Sequence, residues 1–386
     1  MTTLRDPASA APGEFTALHI GPIEVWPPVV LAPMAGVTDL PFRRLCRTHG
    51  AGLYVNQMIT ARGWLERDPK TLKLAEFGPD ETPRSIQLYG TDPRDVGEAA
   101  QRLVEADGVD HIDMNFGCPV PKVTRHGGGA ALPYRRDLLR AIVRAAVNGA
   151  GEVPVTIKFR IGIDDEIVTY LDTARIAQDE GCAAVSLHAR TAEQLYSGSA
   201  DWSAVARLVE AVDIPVLGNG DVFEASDALA MMRTTGCAGV VVGRGCLGRP
   251  WLFARLAAAF EGQEPPPLPT FGEVAATMLD HVRLLVEWQG SEGAVRVFRK
   301  HALWYLVGFP IGGDVRNRVA RVSSVAELEG LLGDIDPTIP FPLEVLRTPR
   351  SHTGGPKQVS LPDRYLEDPG ATDPLPEAAG AYASGG

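Results

Sequence analysis

The chain has 386 residues, a formal net charge of −11 and 45% hydrophobic residues. That is enough apolar material for one large core plus a smaller domain, while the acidic balance argues against nonspecific nucleic-acid binding, which wants a basic surface. The five cysteines, Cys46, Cys118, Cys182, Cys237 and Cys246, form no C-x-x-C pair or metal-ligand spacing, so free thiols in a reducing cytosol are expected rather than disulfides.

Residues 1–20 read as a flexible N-terminal extension without a leader pattern, and no apolar stretch approaches the roughly 20 residues of a membrane helix. Eight short apolar runs follow, at 29–36, 53–59, 85–90, 111–117, 155–162, 184–190, 214–222 and 238–245. They are continuous rather than alternating, the pattern of parallel strands buried on both faces. Helical spacing appears between most of them, at 95–106, 136–147, 168–180, 203–211 and 225–234. Eight such units over 21–260 predict a (β/α)8 TIM barrel. A doubly wound sheet is the alternative, disfavoured because no Gly-rich dinucleotide turn is present. A linker with four prolines, 261–270, leads to helices over 271–288 and 292–307. After a break at 308–313, one or two more helices are expected within 314–332, so 271–346 reads as a small all-α domain. The Pro-, Gly- and Asp-rich tail 347–386 reads as largely disordered, with 359–366 a candidate to dock.

In such a barrel the strand C-termini carry the chemistry. Those ends are Pro33-Met34-Ala35, Gln57, Gln87, Asn115 with Cys118, Lys158 with Arg160, His188 with Arg190, Asn219-Gly220-Asp221 and Gly243-Arg244. Cys118 sits in Asn115-Phe116-Gly117-Cys118-Pro119, where glycine permits a tight turn and proline fixes the exit. A thiol presented there can meet a substrate; the alternative is a small buried hydrophobe. The neighbouring turns at 218–221 and 243–245 join glycine amides to an arginine at the two loops where barrels commonly cradle phosphate. Plain tight turns are the alternative. Lys158 suits a Schiff base or the electron-rich edge of a reduced flavin, unless it only pairs with Asp113. His188 is either structural or part of the same mouth, and Gln87 can bond a planar heterocycle in two directions. Together these residues fit a flat polar ring anchored by phosphate, and FMN better than a sugar phosphate.

The segments LAPMAGVTDLPFR from Leu31, IQLYGTDP from Ile86, IDMNFGCPVPKV from Ile112, GGGAAL from Gly127, VTIKFRIG from Val155, LHARTAEQLYSGSADW from Leu187, VLGNGDV from Val216 and VVVGRGCLGRPWLF from Val240 resemble the tRNA-dihydrouridine synthases, closest to their bacterial B-type branch. The helical domain matches more weakly, through FRKHALWYLVGFP from Phe298. The resemblance implies FMN-dependent reduction of uridine in tRNA, with NADPH reloading the flavin, in the cytoplasm and without an obligate protein partner. It implies hydride transfer to carbon-6 and protonation of carbon-5 by Cys118, held as a thiol. Pro33, Met34 and Ala35 would contact the flavin ring, Gln87 and Lys158 its polar edge, with His188 in support. Asn219, Gly220, Asp221, Gly243 and Arg244 would hold ribityl and phosphate, and Asn115 and Arg190 the target uracil. Arg296, Arg299 and Lys300 fall on one helical face, expected to meet tRNA, together with Lys122 and Arg125 near Cys118; a solvated face is the alternative. Two rival readings share the barrel: an FMN oxidoreductase of a free small molecule, and a flavin-binding regulator without turnover.

Overall fold

Each continuous apolar run becomes a strand buried along its length. The computed structural model describes residues 9–50, 52–290, 293–351 and 354–374. A hairpin, β1 (Leu18–Ile20) and β2 (Ile23–Val25), precedes eight parallel strands. These are β3 (Val29–Leu31), β4 (Leu53–Thr60), β5 (Ser85–Tyr89), β6 (His111–Phe116), β7 (Val155–Arg160), β8 (Ala184–His188), β9 (Val216–Asn219) and β10 (Gly239–Val242). They close in sequence order, with β10 pairing both β9 and β3, into the TIM barrel. Helices run between the strands, and their ends follow local chemistry. Asp92 caps the Pro93–Asp107 helix by accepting from the Arg94 N–H at 2.9 Å, and left-handed Gly108 (φ 59°) ends it.

Residues 9–20 depart from the expected flexible extension. Leu18, Ile20 and Val25 are buried against Val30, Leu53, Ala184, Leu217 and Val241, so the hairpin plugs the bottom of the barrel. Upstream, Ala10 N–H bonds Ala259 O at 2.8 Å and Glu14 pairs with Arg233. Residues 1–8 lie outside the described residues.

Beyond the linker, helices Phe271–Gln289, Ala294–Tyr305, Gly313–Val319 and Val325–Gly333 enclose a second core that includes Phe271, Met278, Phe298, Tyr305 and Leu328. The expected start at 292 falls outside the described residues. This domain packs on the barrel helix Leu40–Arg47, where Phe42 lies 5.5 Å from the His281 ring and 5.9 Å from His301. Both histidines are fully buried, and burial holds both neutral. A buried Arg43 braces the same helix: it pairs with Glu81 at 2.5 Å and donates to Thr38 O and Asn56 Oδ1. Among the described residues no helix is long and apolar enough to cross a membrane.

The tail docks within 359–366, the segment expected to be able to, and makes further contacts on either side of it. Tyr365 is buried, its hydroxyl 3.2 Å from Gly127 O and 3.1 Å from Ala131 O, while Lys357 N–H bonds Glu193 O at 2.8 Å. Composition signals disorder, but one aromatic with a loop to cover is enough to dock a segment.

Candidate active site

At the end of β6, Asn115 folds the chain back on itself. Its Oδ1 accepts from Gly117 N–H at 3.0 Å and Cys118 N–H at 2.9 Å. The next loop seats the other side of the cysteine: Ala130 N–H bonds Cys118 O at 3.0 Å, and a Cβ on left-handed Gly129 would stand 2.5 Å from that oxygen. Cys118 is partly exposed. Burial pushes its thiol pKa up, while the Val120 N–H and Arg160 pull the other way, with burial dominant.

Strand register places a chain of polar groups behind Cys118. Gln87 is opposite Asp113, and Asn115 is opposite Lys158. Asp113 is buried and, in its ionised form, only accepts, so Gln87 turns its NH2 toward it at 2.7 Å. The Gln87 oxygen then accepts from Asn115 Nδ2 at 2.9 Å, leaving Asn115 Oδ1 for the Cys118 turn. On the far side Thr156 donates to Asp113 at 2.7 Å. His111 lies 2.9 Å from that hydroxyl through Nε2 and 2.7 Å from Ser85 through Nδ1. Thr156 spends its proton on Asp113, so His111 donates through Nε2 and accepts from Ser85. Burial pushes Asp113 up to about 6 and His111 down to about 3.

Beside this chain lies an open cleft, walled by Ala32, Pro33 and Met34 on one side and by the β7–β10 strand ends on the other. Lys158, His188, Arg190, Asn219, Gly220, Asp221, Gly243 and Arg244 all line it; Ala35, Gln87, Asn115 and Cys118 do not. Burial and Arg160 lower Lys158 to about 8 against the opposing pull of Asp113. Burial and the four surrounding cations, Arg160 foremost, hold His188 neutral.

Two site residues carried no assigned role in the sequence reading. Arg160 donates to Gly117 O at 2.9 Å, Thr191 O at 2.8 Å and Leu195 O at 2.9 Å, joining the Cys118 loop to the loop after β8. Tyr196, on that second loop, lies between Arg160 (5.6 Å) and Arg244 (4.5 Å) and lines the cleft. Arg160 shares the inward face of β7 with Lys158, two residues on, which is a legible signal. Tyr196 is a single aromatic in a polar loop and offers none.

Other expected residues take different partners. Arg190 grips the Asp221 carboxylate with both contacts at 2.8 Å and donates to Ser197 O and Gly198 O. Asp221 also accepts from Ala200 N–H, so it braces Arg190, and a carboxylate is no ligand for phosphate. Asn219 spends its NH2 on Val241 O at 2.7 Å. Lys300 reaches back to Gly36 O at 2.6 Å, and Arg299 holds Arg321 O and Val322 O at 2.8 Å, while Arg296 is exposed.

The cleft suits a planar ring with a phosphate arm. Arg190, which lines it, has its Nη1 buried without a partner. Gly220 (φ 130°) admits no Cβ, which would meet Ala200 at 2.6 Å, and a Cβ on Gly245 would meet Val222 O at 2.1 Å. The glycine turns, Arg244 and the spare Arg190 donor line the cleft together with Lys158. Among the described residues no group of three or more His, Cys, Asp or Glu is arranged to hold a metal.

The chain is similar to known proteins. A family model described as Dihydrouridine synthase (Dus) matches residues 30–336. A "Probable tRNA-dihydrouridine synthase" of Mycobacterium tuberculosis (strain CDC 1551 / Oshkosh) is 55% identical over 381 residues, spanning 96% of this chain and 97% of its own. A "tRNA-dihydrouridine synthase B" of Xanthomonas axonopodis pv. citri (strain 306) is 40% identical over 309 residues, 80% of this chain and 92% of that protein. Among solved structures, histamine dehydrogenase from Rhizobium sp. 4-9 superposes with a TM-score of 0.50 at 13% identity. That likeness covers 84% of this chain but 65% of the other, less than two thirds, and it speaks to the fold alone. Barrel and helical domain are matched together at high identity, and the chain belongs to the dihydrouridine synthase family of tRNA-modifying oxidoreductases.

Proposed function

We propose that the cleft holds FMN, that NADPH reduces it, and that the pair converts specific uridines of tRNA to dihydrouridine, with Cys118 as the proton donor. Bound and reduced, the flavin supplies a hydride for carbon-6 of the uracil. Every other part falls to this chain. Lys158, at the cleft wall, places positive charge where a reduced ring gathers negative charge, and its lowered pKa of about 8 lets it lose or keep a proton near neutrality. Arg244, the spare Nη1 of Arg190 and the glycine turns at 220 and 243–245 suit the phosphate. Asn219 fixes β9 to β10 and so shapes that cradle.

Cys118 must arrive protonated, because it gives a proton to carbon-5 as carbon-6 gains hydride. The observation that carries the reading is a partly exposed thiol beside the cleft, on a turn pinned by Asn115, whose pKa burial drives upward rather than down. The thiolate left behind regains its proton from water. Arg160 and Tyr196, which bridge Cys118's loop and the cleft, are the side chains best placed to receive the extruded base. Arg296, Arg318 and Arg321 are exposed on the helical domain and supply the basic face for tRNA phosphates.

A turnover assay tests this. Protein, FMN and NADPH are mixed without oxygen with tRNA lacking dihydrouridine, and nucleosides are weighed by mass spectrometry. Uridine gaining two hydrogens with native protein, and almost none with Cys118→Ala, is the expected result. Oxidation of NADPH without product on tRNA would move the substrate to free pyrimidines.

A further inference from the structure

The chain continues past the matched region, which ends at residue 336, and its described tail does not trail into solvent. Its path touches the two loops that flank Cys118. At the loop after β8, Lys357 N–H bonds Glu193 O at 2.8 Å, and Gly355 packs so tightly that a Cβ there would meet Gln194 O at 2.6 Å. This is the loop whose Thr191 and Leu195 carbonyls hold Arg160, and which carries Tyr196. At the loop after β6, Tyr365 is buried with its hydroxyl between Gly127 O and Ala131 O, the two ends of the Gly-Gly-Gly-Ala-Ala run. That run seats Cys118 through Ala130 N–H and Gly129. Arg135 lies over the Tyr365 ring at 4.4 Å, Tyr134 donates to Leu366 O at 2.7 Å, and Arg136 N–H bonds Pro369 O at 3.0 Å.

We propose that residues 354–370 form a strap that fixes the two loops around the acid thiol, with Tyr365 as its positioning residue. The physical case rests on what each contact does. Glycine-rich loops are entropically expensive to hold in one conformation, and three consecutive glycines at 127–129 need an external clamp. The Tyr365 hydroxyl shares its one proton between both ends of that run, so the loop cannot open without losing that bond. The same chain ties the Arg160–Tyr196 side, so both walls around the extruded base are braced by one segment. Tyr365 touches neither the thiol nor the cleft; it acts through the loop.

The proposal rests on Cys118 being the proton donor, and its test separates the two ideas. Tyr365→Phe keeps the ring on Arg135 and removes the hydroxyl. Tyr365→Ala removes both. Leu366→Ala, whose side chain is exposed, is the control. All are made in the full-length chain. Three quantities are read: reduction of bound flavin by NADPH, single-turnover transfer from pre-reduced enzyme to tRNA, and alkylation of Cys118 by iodoacetamide, located by peptide mass. Flavin reduction should stay within twofold of native in all variants. Transfer should fall about tenfold in Tyr365→Phe, the size of one lost hydrogen bond, and further in Tyr365→Ala. Alkylation should rise several-fold as the loop loosens, in the same order, with Leu366→Ala unchanged. Alkylation at the native rate in Tyr365→Ala overturns the strap, whatever the substrate proves to be. A parallel fall of flavin retention, flavin reduction and transfer overturns it too, by making Tyr365 a general support of the barrel. If native protein transfers nothing to tRNA while alkylation still rises in Tyr365→Phe and Tyr365→Ala, the strap is upheld and the functional reading is overturned instead.

Discussion

Replacing Asn115 by alanine tests the part of the site that aims the thiol. The side chain holds four bonds: acceptor to Gly117 N–H and Cys118 N–H, and donor to Gln87 Oε1 and, more weakly, to Met58 Sδ. The two amides lie at a partly open mouth where water can replace the lost acceptor, so together they contribute about 2 kcal/mol at the low end of the usual range. The Gln87 oxygen is buried and loses its donor outright, adding about 1 kcal/mol. A loss of about 3 kcal/mol, expressed in the geometry of proton transfer, slows the step by roughly 100-fold. Asn115→Asp separates the contributions. It keeps the acceptor for both amides but sets a carboxylate against the Gln87 oxygen, which cannot turn away because Asp113 holds the Gln87 NH2. The new carboxyl is therefore pushed up in pKa, and once protonated it donates to that oxygen. Activity of Asn115→Asp relative to native should rise as pH falls from 8 toward 6. The assay is single-turnover transfer from pre-reduced enzyme to tRNA. Asn115→Ala within threefold of native would refute the reasoning, because the turn would then not depend on its side chain.

Three other outcomes are expected. Glu81→Ala strands the buried Arg43 and should cost about 3–5 kcal/mol, lowering Tm by roughly 5 °C or more, because a buried charge without its partner is far worse than no pair at all. Acid should destabilise the fold between pH 7.5 and 5.5: burial holds His111, His188, His281 and His301 neutral in the folded chain, whereas the unfolded chain takes up protons near pH ~6.5. Asp39 and Asp113, both raised to about 6, oppose this by binding protons first in the folded state, yet four groups against two leave a net loss on the order of 3 kcal/mol, read as a lower denaturation midpoint at pH 5.5. A double Arg296→Glu, Arg318→Glu change should weaken tRNA binding and flatten its salt dependence by about one to two units of slope, whereas Arg299→Ala should lower Tm and leave that slope alone, since Arg299 is committed to Arg321 O and Val322 O. An unchanged slope in the double variant would move the RNA face elsewhere.

The barrel was legible because strands buried on both faces leave uninterrupted apolar runs, and eight of them end in polar residues. Strand ends also brought Lys158, His188, Arg190, Asn219 and Arg244 to one cleft, since chain order alone places them at one mouth. Partners were not legible, because they depend on register between strands far apart in sequence. Arg190 and Asp221 were each expected against a ligand, and the fold pairs them with each other after β8 and β9, which no spacing along the chain announces. Lys300 sits on the helical face that a single sequence reads as basic and outward, yet the docked domain turns it onto Gly36. The hairpin at 18–25 was hidden by its brevity, although Gly21-Pro22 between two apolar pairs is a turn signal. The tail was legible only in part: its average composition is that of disorder, yet the segment 359–366 singled out as able to dock does so through Tyr365, while the contacts at 355–357 and 369 left no sequence signal.

The overall charge of −11 and the cleft are opposite in sign, and the difference is built locally. Lys158, Arg160, Arg190 and Arg244 crowd one side of the barrel mouth, with Asp221 and Asp113 as the near counter-charges. Such a field would be expected to strip the proton from a nearby thiol. It does not, because burial is the larger effect at Cys118 and Arg160 aims its donors at the Gly117, Thr191 and Leu195 carbonyls rather than at sulfur. The cations thus add positive charge to the mouth while burial keeps the Cys118 thiol pKa raised. Moving Arg160 off those carbonyls would undo both the loop and the protonation state. That coupling explains why the thiol is braced by backbone contacts on every side, from Asn115, Ala130 and Arg160.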